Sequence, residues 1–201
     1  NMNMNMNMNM NGPVSPWLGR QPNARKQHLF SSSAFLDSYG AHVQERSAMA
    51  NGLGIAPKPL DAAQVGALVS ELQSNDSDAA NAPELVELLS HRVPPGVDEA
   101  AYVKATYLSA LALQTEECAH ISRTKAIELL GTMQGGYNVN TLVTLLEDSD
   151  ESIATLAATQ LKHTLLVFDA FYDVVELHNK GIPAATSVVT AWANAEWYLR
   201  K

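Results

Sequence analysis

Apolar residues recur at three- and four-residue intervals in one short segment after another, and Pro, Gly or Asn closes each segment within a few turns. That punctuation confines the body of the chain to a succession of short amphipathic helices, since strands would need strict alternation and long helices an unbroken period. Ser33 is placed to cap a helix over 34–50 that Asn51-Gly52 stops. Pro57 and Pro59 force extended chain, after which Asp61 caps a helix carrying Val65, Leu68, Val69 and Leu72 at core spacing. Asn81 is the expected cap for Leu85, Val86, Leu88 and Leu89, and Pro94-Pro95-Gly96 is a hard stop. Asp98 opens a helix with Tyr102, Val103, Leu108 and Leu111 on its apolar face. Ser122 caps a helix over 125–133 with Ile127, Leu130 and Met133 inward, ended by Gly135-Gly136. Asn140 should cap a short helix through Leu142, Val143, Leu145 and Leu146. Ser149 or Asp150 starts a long one through Ile153, Leu156, Leu161, Leu165 and Phe168, continuing or kinking near Asp169 towards Gly181. Pro183 then sits in the first turn of a last helix with Val188, Val189, Trp192 and Leu199. The expected architecture is all-α, an antiparallel stack of about eight helices joined by short loops.

Residues 1–33 are a different material. Asn and Met alternate from Asn1 to Asn11, so five of the seven methionines fall in the first ten positions. A Pro-punctuated stretch with Trp17 follows, then Arg20, Arg25 and Lys26, with no acid anywhere in the segment. This low-complexity stretch has no apolar face large enough to fold alone, and we expect it to form an extended arm ahead of a helical domain at 34–201. Of the 13 Lys and Arg residues three lie in the arm, which leaves ten against 21 acids in the body, a net −11. Such asymmetry marks an arm that binds something else. Met2, Met4, Met6, Met8 and Met10 are adaptable groove-fillers, Trp17 is an anchor, and Arg20, Arg25 and Lys26 suit an acidic protein or lipid surface. The initial Asn, in place of Met, fits removal of a targeting segment.

Charge and thiol counts exclude several functions. A net charge of −8 argues against nucleic acid as a partner. The longest charge-free run in the body, 129–146, is broken by Gly135, Gly136, Asn138 and Asn140, so no membrane span is expected, although a seat against a membrane complex stays open. Cys118 alone cannot hold an iron–sulfur cluster, and beside Glu116 and Glu117 it reads as an unreactive thiol. The six histidines are scattered without metal-ligand spacing. Asp169, Asp173 and Glu176 share nearly one helical face, which is better read as a solvated acidic face than as acid–base groups or a cation grip. The glycines of 131–138 lack a preceding strand and a Gly-Lys-Ser/Thr ending, so they terminate a helix rather than cradle phosphate. No catalytic residue, cofactor site or metal site emerges.

Five strings carry a specific resemblance. They are Ile55-Ala56-Pro57-Lys58-Pro59-Leu60-Asp61; the run 92–105 around Val93-Pro94-Pro95-Gly96-Val97-Asp98 and Tyr102; the run 125–138 ending Gln134-Gly135-Gly136-Tyr137-Asn138; His163-Thr164-Leu165-Leu166 with Phe171-Tyr172-Asp173-Val174; and Trp192-Ala193-Asn194-Ala195-Glu196-Trp197. In order and spacing, from about 34 to 199, they resemble the N-terminal helical domain of the aconitase B family (aconitate hydratase 2). The resemblance implies a HEAT-like all-α domain, an appendage implicated in protein association. It also implies that the citrate–isocitrate chemistry and the cluster-binding cysteines belong to later domains, so no catalytic residue carries over to this chain. The arm falls outside the resemblance. Together these features predict a non-catalytic linker or scaffold subunit whose arm docks on neighbouring protein subunits of an organellar complex. The setting favoured is a plastid photosystem–antenna supercomplex at the thylakoid, ahead of a mitochondrial assembly. The alternative is a fragment, or a regulatory or dimerisation subunit, of an aconitase.

Overall fold

The computed structural model describes residues 34–49, 58–74, 81–164 and 168–195. The expected arm at 1–33 lies outside them, as do the Ser33 cap and Leu199.

Within the described residues every regular element is helical: α1 (Ala34–Met49), α2 (Ala62–Gln73), α3 (Ala82–His91), α4 (Glu99–Ala112), α5 (Arg123–Gly131), α6 (Val139–Thr144), a single 3-10 turn (Leu145–Glu147), α7 (Glu151–Leu161), α8 (Phe168–Asn179) and α9 (Pro183–Ala195). Sequence neighbours pair, α2 with α3, α4 with α5, α6 with α7 and α8 with α9. The packing of α2 on α4, α5 on α7 and α7 on α9 stacks those pairs into one body. Leu68, Leu85, Leu89, Leu108, Ile127, Leu130, Leu142 and Leu161 are fully buried along its length and form a continuous core.

Local chemistry sets the helix starts. Asp61 accepts from the Gln64 amide at 2.8 Å while the Gln64 side chain accepts from the Asp61 amide at 3.0 Å, a reciprocal capping box. Asp98 accepts from the Ala101 amide, Ser122 from Lys125 and Asp150 from Ser152. Asp61→Ala is expected to cost about 1 kcal/mol, read as a lower urea midpoint at unchanged slope.

Several starts and stops differ from expectation. Asn81 precedes α3 in helical conformation and contributes its backbone carbonyl, which accepts from Glu84 and Leu85, instead of a side-chain cap. The short helix α6 begins after Asn138, not after Asn140, because Asn138 is drawn inside to close the end of α5. Helix α5 itself stops at Gly131, where Thr132 turns the chain, ahead of Gly135-Gly136. The long helix expected from Ser149 or Asp150 is two, α7 and α8, with turns at Lys162 and His163 after Leu161.

Arg123 ties three elements together. Its Nε donates to Ala112 O at the end of α4 at 2.8 Å, and its Nη2 donates to the Asp148 carboxylate beyond the 3-10 turn. The Arg123 guanidinium, and then the Asp150 amide, hold the Asp148 carboxyl below its usual range. A depressed carboxyl pKa contributes stability above its unfolded value and loses it as pH falls. Arg123→Ala is therefore expected to cost about 2 kcal/mol at pH 7. That deficit should shrink below about pH 4 as Asp148 protonates in both proteins, as checked by urea melts at both pH values.

Candidate interaction surface

The α3–α4 junction meets the α5–α6 junction backbone to backbone. Gln134 donates its amide to Pro95 O at 2.7 Å, and the Tyr137 hydroxyl donates to Val97 O at 2.9 Å. Between these bonds Gly135 lies directly on Gly96: a Cβ at Gly135 would stand 2.0 Å from Gly96 O and 2.6 Å from its carbonyl carbon. Only an absent side chain lets the two loops touch. Two of the strings that carry the family resemblance, 92–105 and 125–138, are thus brought together some 40 residues apart in sequence.

This contact presents an apolar face to solvent. Tyr102 and Tyr137 meet edge to face with ring centroids 5.3 Å apart, and Val97 stands beside them. Val97 is 74% exposed, Tyr102 55% and Tyr137 39%. Asp98 and Glu99, both exposed, border the patch with negative charge. An edge-to-face tyrosine pair at a loop junction supplies rigid amphipathic area of the kind that anchors protein interfaces.

Tyr102 was expected in the core and faces out. Helix α4 buries Ala100, Ala101, Lys104, Ala105, Leu108, Leu111 and Ala112, a wide face rich in alanine that lets neighbouring helices approach closely. Tyr102 lies off that face, and the inward position goes to Lys104, only 2% exposed. The Lys104 ammonium donates to Ser90 O in the last turn of α3 at 3.2 Å, at the negative end of that helix. Burial pulls its pKa down to about 8.

The glycine-rich run 131–138 is a helix junction, as its sequence suggests. Asn138 is fully buried, and its Nδ2 donates to Leu130 O at 2.7 Å and Met133 O at 3.3 Å, closing the carbonyl end of α5. On α8, Glu176 pairs with Lys180 at 2.8 Å, both exposed, and the Lys180 ammonium holds that carboxyl below its usual range. An exposed pair of this kind contributes little to stability. Glu176 and Asp173 line a polar cleft of about 390 Å³ with Glu147, Asn140 and Lys180, whereas the side chain of Asp169 is outside the described residues. No group of three or more His, Cys, Asp or Glu residues is arranged to hold a metal among the described residues. Nor is any of their helices long and apolar enough to cross a membrane.

The residues first marked for partner binding, Met2, Met4, Met6, Met8, Met10, Trp17, Arg20, Arg25 and Lys26, all lie outside the described residues. Val97, Tyr102 and Tyr137 form a surface that the sequence alone does not mark. The available signal is that two strings of one family each carry a Gly stop and a tyrosine within six residues of it.

Residues 38–198 match the family described as the Aconitate B N-terminal domain. The chain is 50% identical over 166 residues to aconitate hydratase B of Pseudomonas aeruginosa, a span covering 83% of this chain and 18% of that protein. It is likewise 50% identical over 166 residues to aconitate hydratase B of Escherichia coli, and 49% identical to that of Synechocystis, with the same coverage. The chain therefore spans about a fifth of the length of these relatives. These matches correct the expected photosystem–antenna linker: they point to aconitate hydratase B and nothing in them indicates an antenna scaffold, so the expected alternative, a part of an aconitase, fits better. The plastid setting rested on the linker reading and gains no support from them. With its all-α stack and a match over most of its length, this chain belongs to the aconitate B N-terminal domain family.

Proposed function

We propose that the chain serves aconitate hydration without catalysing it, as an association module that docks on the catalytic part of an aconitate hydratase B. The observation that carries this reading is the junction at Gly96 and Gly135. Two family strings converge there on a tyrosine pair that stays exposed although the Tyr137 hydroxyl ties it to Val97 O, an amphipathic area suited to contact with another protein surface. Half of the aligned residues are identical to those of the bacterial enzymes, which supports placing the chain with the same enzyme. The single thiol in these 201 residues cannot supply an iron–sulfur cluster, so any cluster belongs to the catalytic part.

The test is reconstitution. Aconitate hydratase B whose own matching N-terminal region has been removed is mixed with increasing amounts of the chain, and aconitate hydration is followed. The chain alone is expected to be inactive, and the mixture to gain activity or stability saturably with added chain. Tyr102→Ser with Tyr137→Ser should shift that titration to at least about tenfold higher concentration while leaving the helical spectrum unchanged. Activity of the chain alone, or a mixture indifferent to it, would overturn the proposal.

A further inference from the structure

Four of the five residues from 147 to 151 are acids, Glu147, Asp148, Asp150 and Glu151, and they run from the 3-10 turn into α7. Two of them are committed to the fold. Asp148 accepts from Arg123, and from the Asp150 amide at 2.9 Å. Asp150 caps α7 and accepts from both the amide and the hydroxyl of Ser152. Glu147 and Glu151 are exposed and join no ion pair among the described residues. Lys180, which Glu176 holds at 2.8 Å, feels Glu147 only at longer range. Beside these acids a groove of about 400 Å³ opens between one face of α7 and the start of α9. Leu146, Ala154, Ile182, Pro183 and Ala184 make its lining mostly apolar, and Glu147, Asp148, Glu151 and Lys162 supply its charge. Glu151 is the first residue of α7 and Lys162 follows the last, so the two stand at opposite ends of a face about 16 Å long. Lys162 is therefore too far away to neutralise Glu151.

We propose that this groove docks a basic segment of a partner protein, whose Arg or Lys side chains meet Glu147 and Glu151 while a neighbouring apolar side chain covers Ile182, Pro183 and Ala184. Charge complementarity selects the occupant. A nucleic acid, an anionic lipid or an acidic segment would meet charge of its own sign at the acidic end. An uncharged apolar segment would cover the two carboxylates without giving them partners. The apolar lining in turn asks for more than a simple cation, which would leave that lining in water. The groove shares no residue with the face formed by Val97, Tyr102 and Tyr137, so the proposal does not depend on docking through that face.

The experiment titrates the full chain into a capped, fluorescein-labelled peptide in which two arginines are followed by two leucines, and reads fluorescence anisotropy. Binding is expected to saturate and to weaken as salt is added. Glu147→Gln combined with Glu151→Gln should weaken it by about tenfold. Glu87→Gln combined with Glu128→Gln removes the same charge at exposed positions outside the groove and should leave binding unchanged. All four substituted side chains are exposed, so both double variants should keep the helical spectrum of the wild type. The apolar half of the proposal is tested on the peptide: serines in place of its leucines should cost about tenfold in affinity. Absence of saturable binding, equal binding by the two double variants, or equal binding of the leucine and serine peptides would each overturn the proposal.

Discussion

Gly135→Ala is expected to lower the stability of the chain by about 3 kcal/mol, far more than an alanine usually costs outside a core. The new methyl would meet Gly96 O at 2.0 Å and the Val97 nitrogen at 3.2 Å, and both belong to backbone that cannot swing aside. To relieve the clash the two loops must part, which breaks the Gln134 to Pro95 bond and pulls the Tyr137 hydroxyl from Val97 O. The tyrosine pair would lose its fixed edge-to-face geometry with them. Gly131→Ala is the internal control. Its Cβ would also meet an atom at 2.0 Å, Gln160 Oε1, with Gln160 Cγ at 2.7 Å, but these all belong to one side chain, which can swing away as a whole where backbone cannot. Replacing a helical glycine with alanine also favours the helix. Urea unfolding followed by circular dichroism should separate the two variants clearly, and hydrogen exchange at the Gln134 amide should rise in Gly135→Ala alone.

The second large effect lies in pH. Lys104 has a folded-state pKa near 8 against an ordinary 10.5, and burial is the cause. Below about pH 8 the folded protein carries the full penalty of a buried ammonium, eased by Ser90 O. Between pH 8 and 10.5 the folded state has released the proton while the unfolded chain still holds it. The unfolded state then binds more protons, so stability rises with pH. The shift corresponds to about 3 kcal/mol gained across that window. Tyr107 acts in the opposite sense: its pKa is raised by burial, so above pH 10 the folded state keeps a proton that the unfolded chain gives up, and stability falls. Lys104→Met should remove the rise. Its stability difference from the wild type should therefore change by about 3 kcal/mol between pH 7 and 10.5, measured by urea melts across that range.

What could be read directly from the chain was whatever depends on near neighbours in sequence. Asp61, Asp98, Ser122 and Asp150 each satisfy an amide two or three residues on, so their caps are visible as residue types. The buried faces of Leu68, Leu85 and Ile127 followed from helical spacing in the same way. Tyr102 faces out where the core was expected and Lys104 faces in, because only the fold puts Ser90 O within reach of a lysine on α4. Asn138 was passed over for Asn140 since its work is to close the carbonyl end of α5 from inside the core. The glycines at 96 and 135 looked like two separate helix stops, and that they touch is a tertiary fact. The family strings were legible, but the surface they build was not, because Tyr102 and Tyr137 become neighbours only once both junctions are folded.

Binding is the most direct measure of the central claim that this domain docks through that surface. Titrating the chain into aconitate hydratase B that lacks the matching N-terminal region, with association followed by calorimetry, should give saturable binding. Gly135→Ala and the Tyr102→Ser, Tyr137→Ser pair should each weaken it by about tenfold or more. No binding by the wild-type chain, or equal binding by all three proteins, would contradict the account.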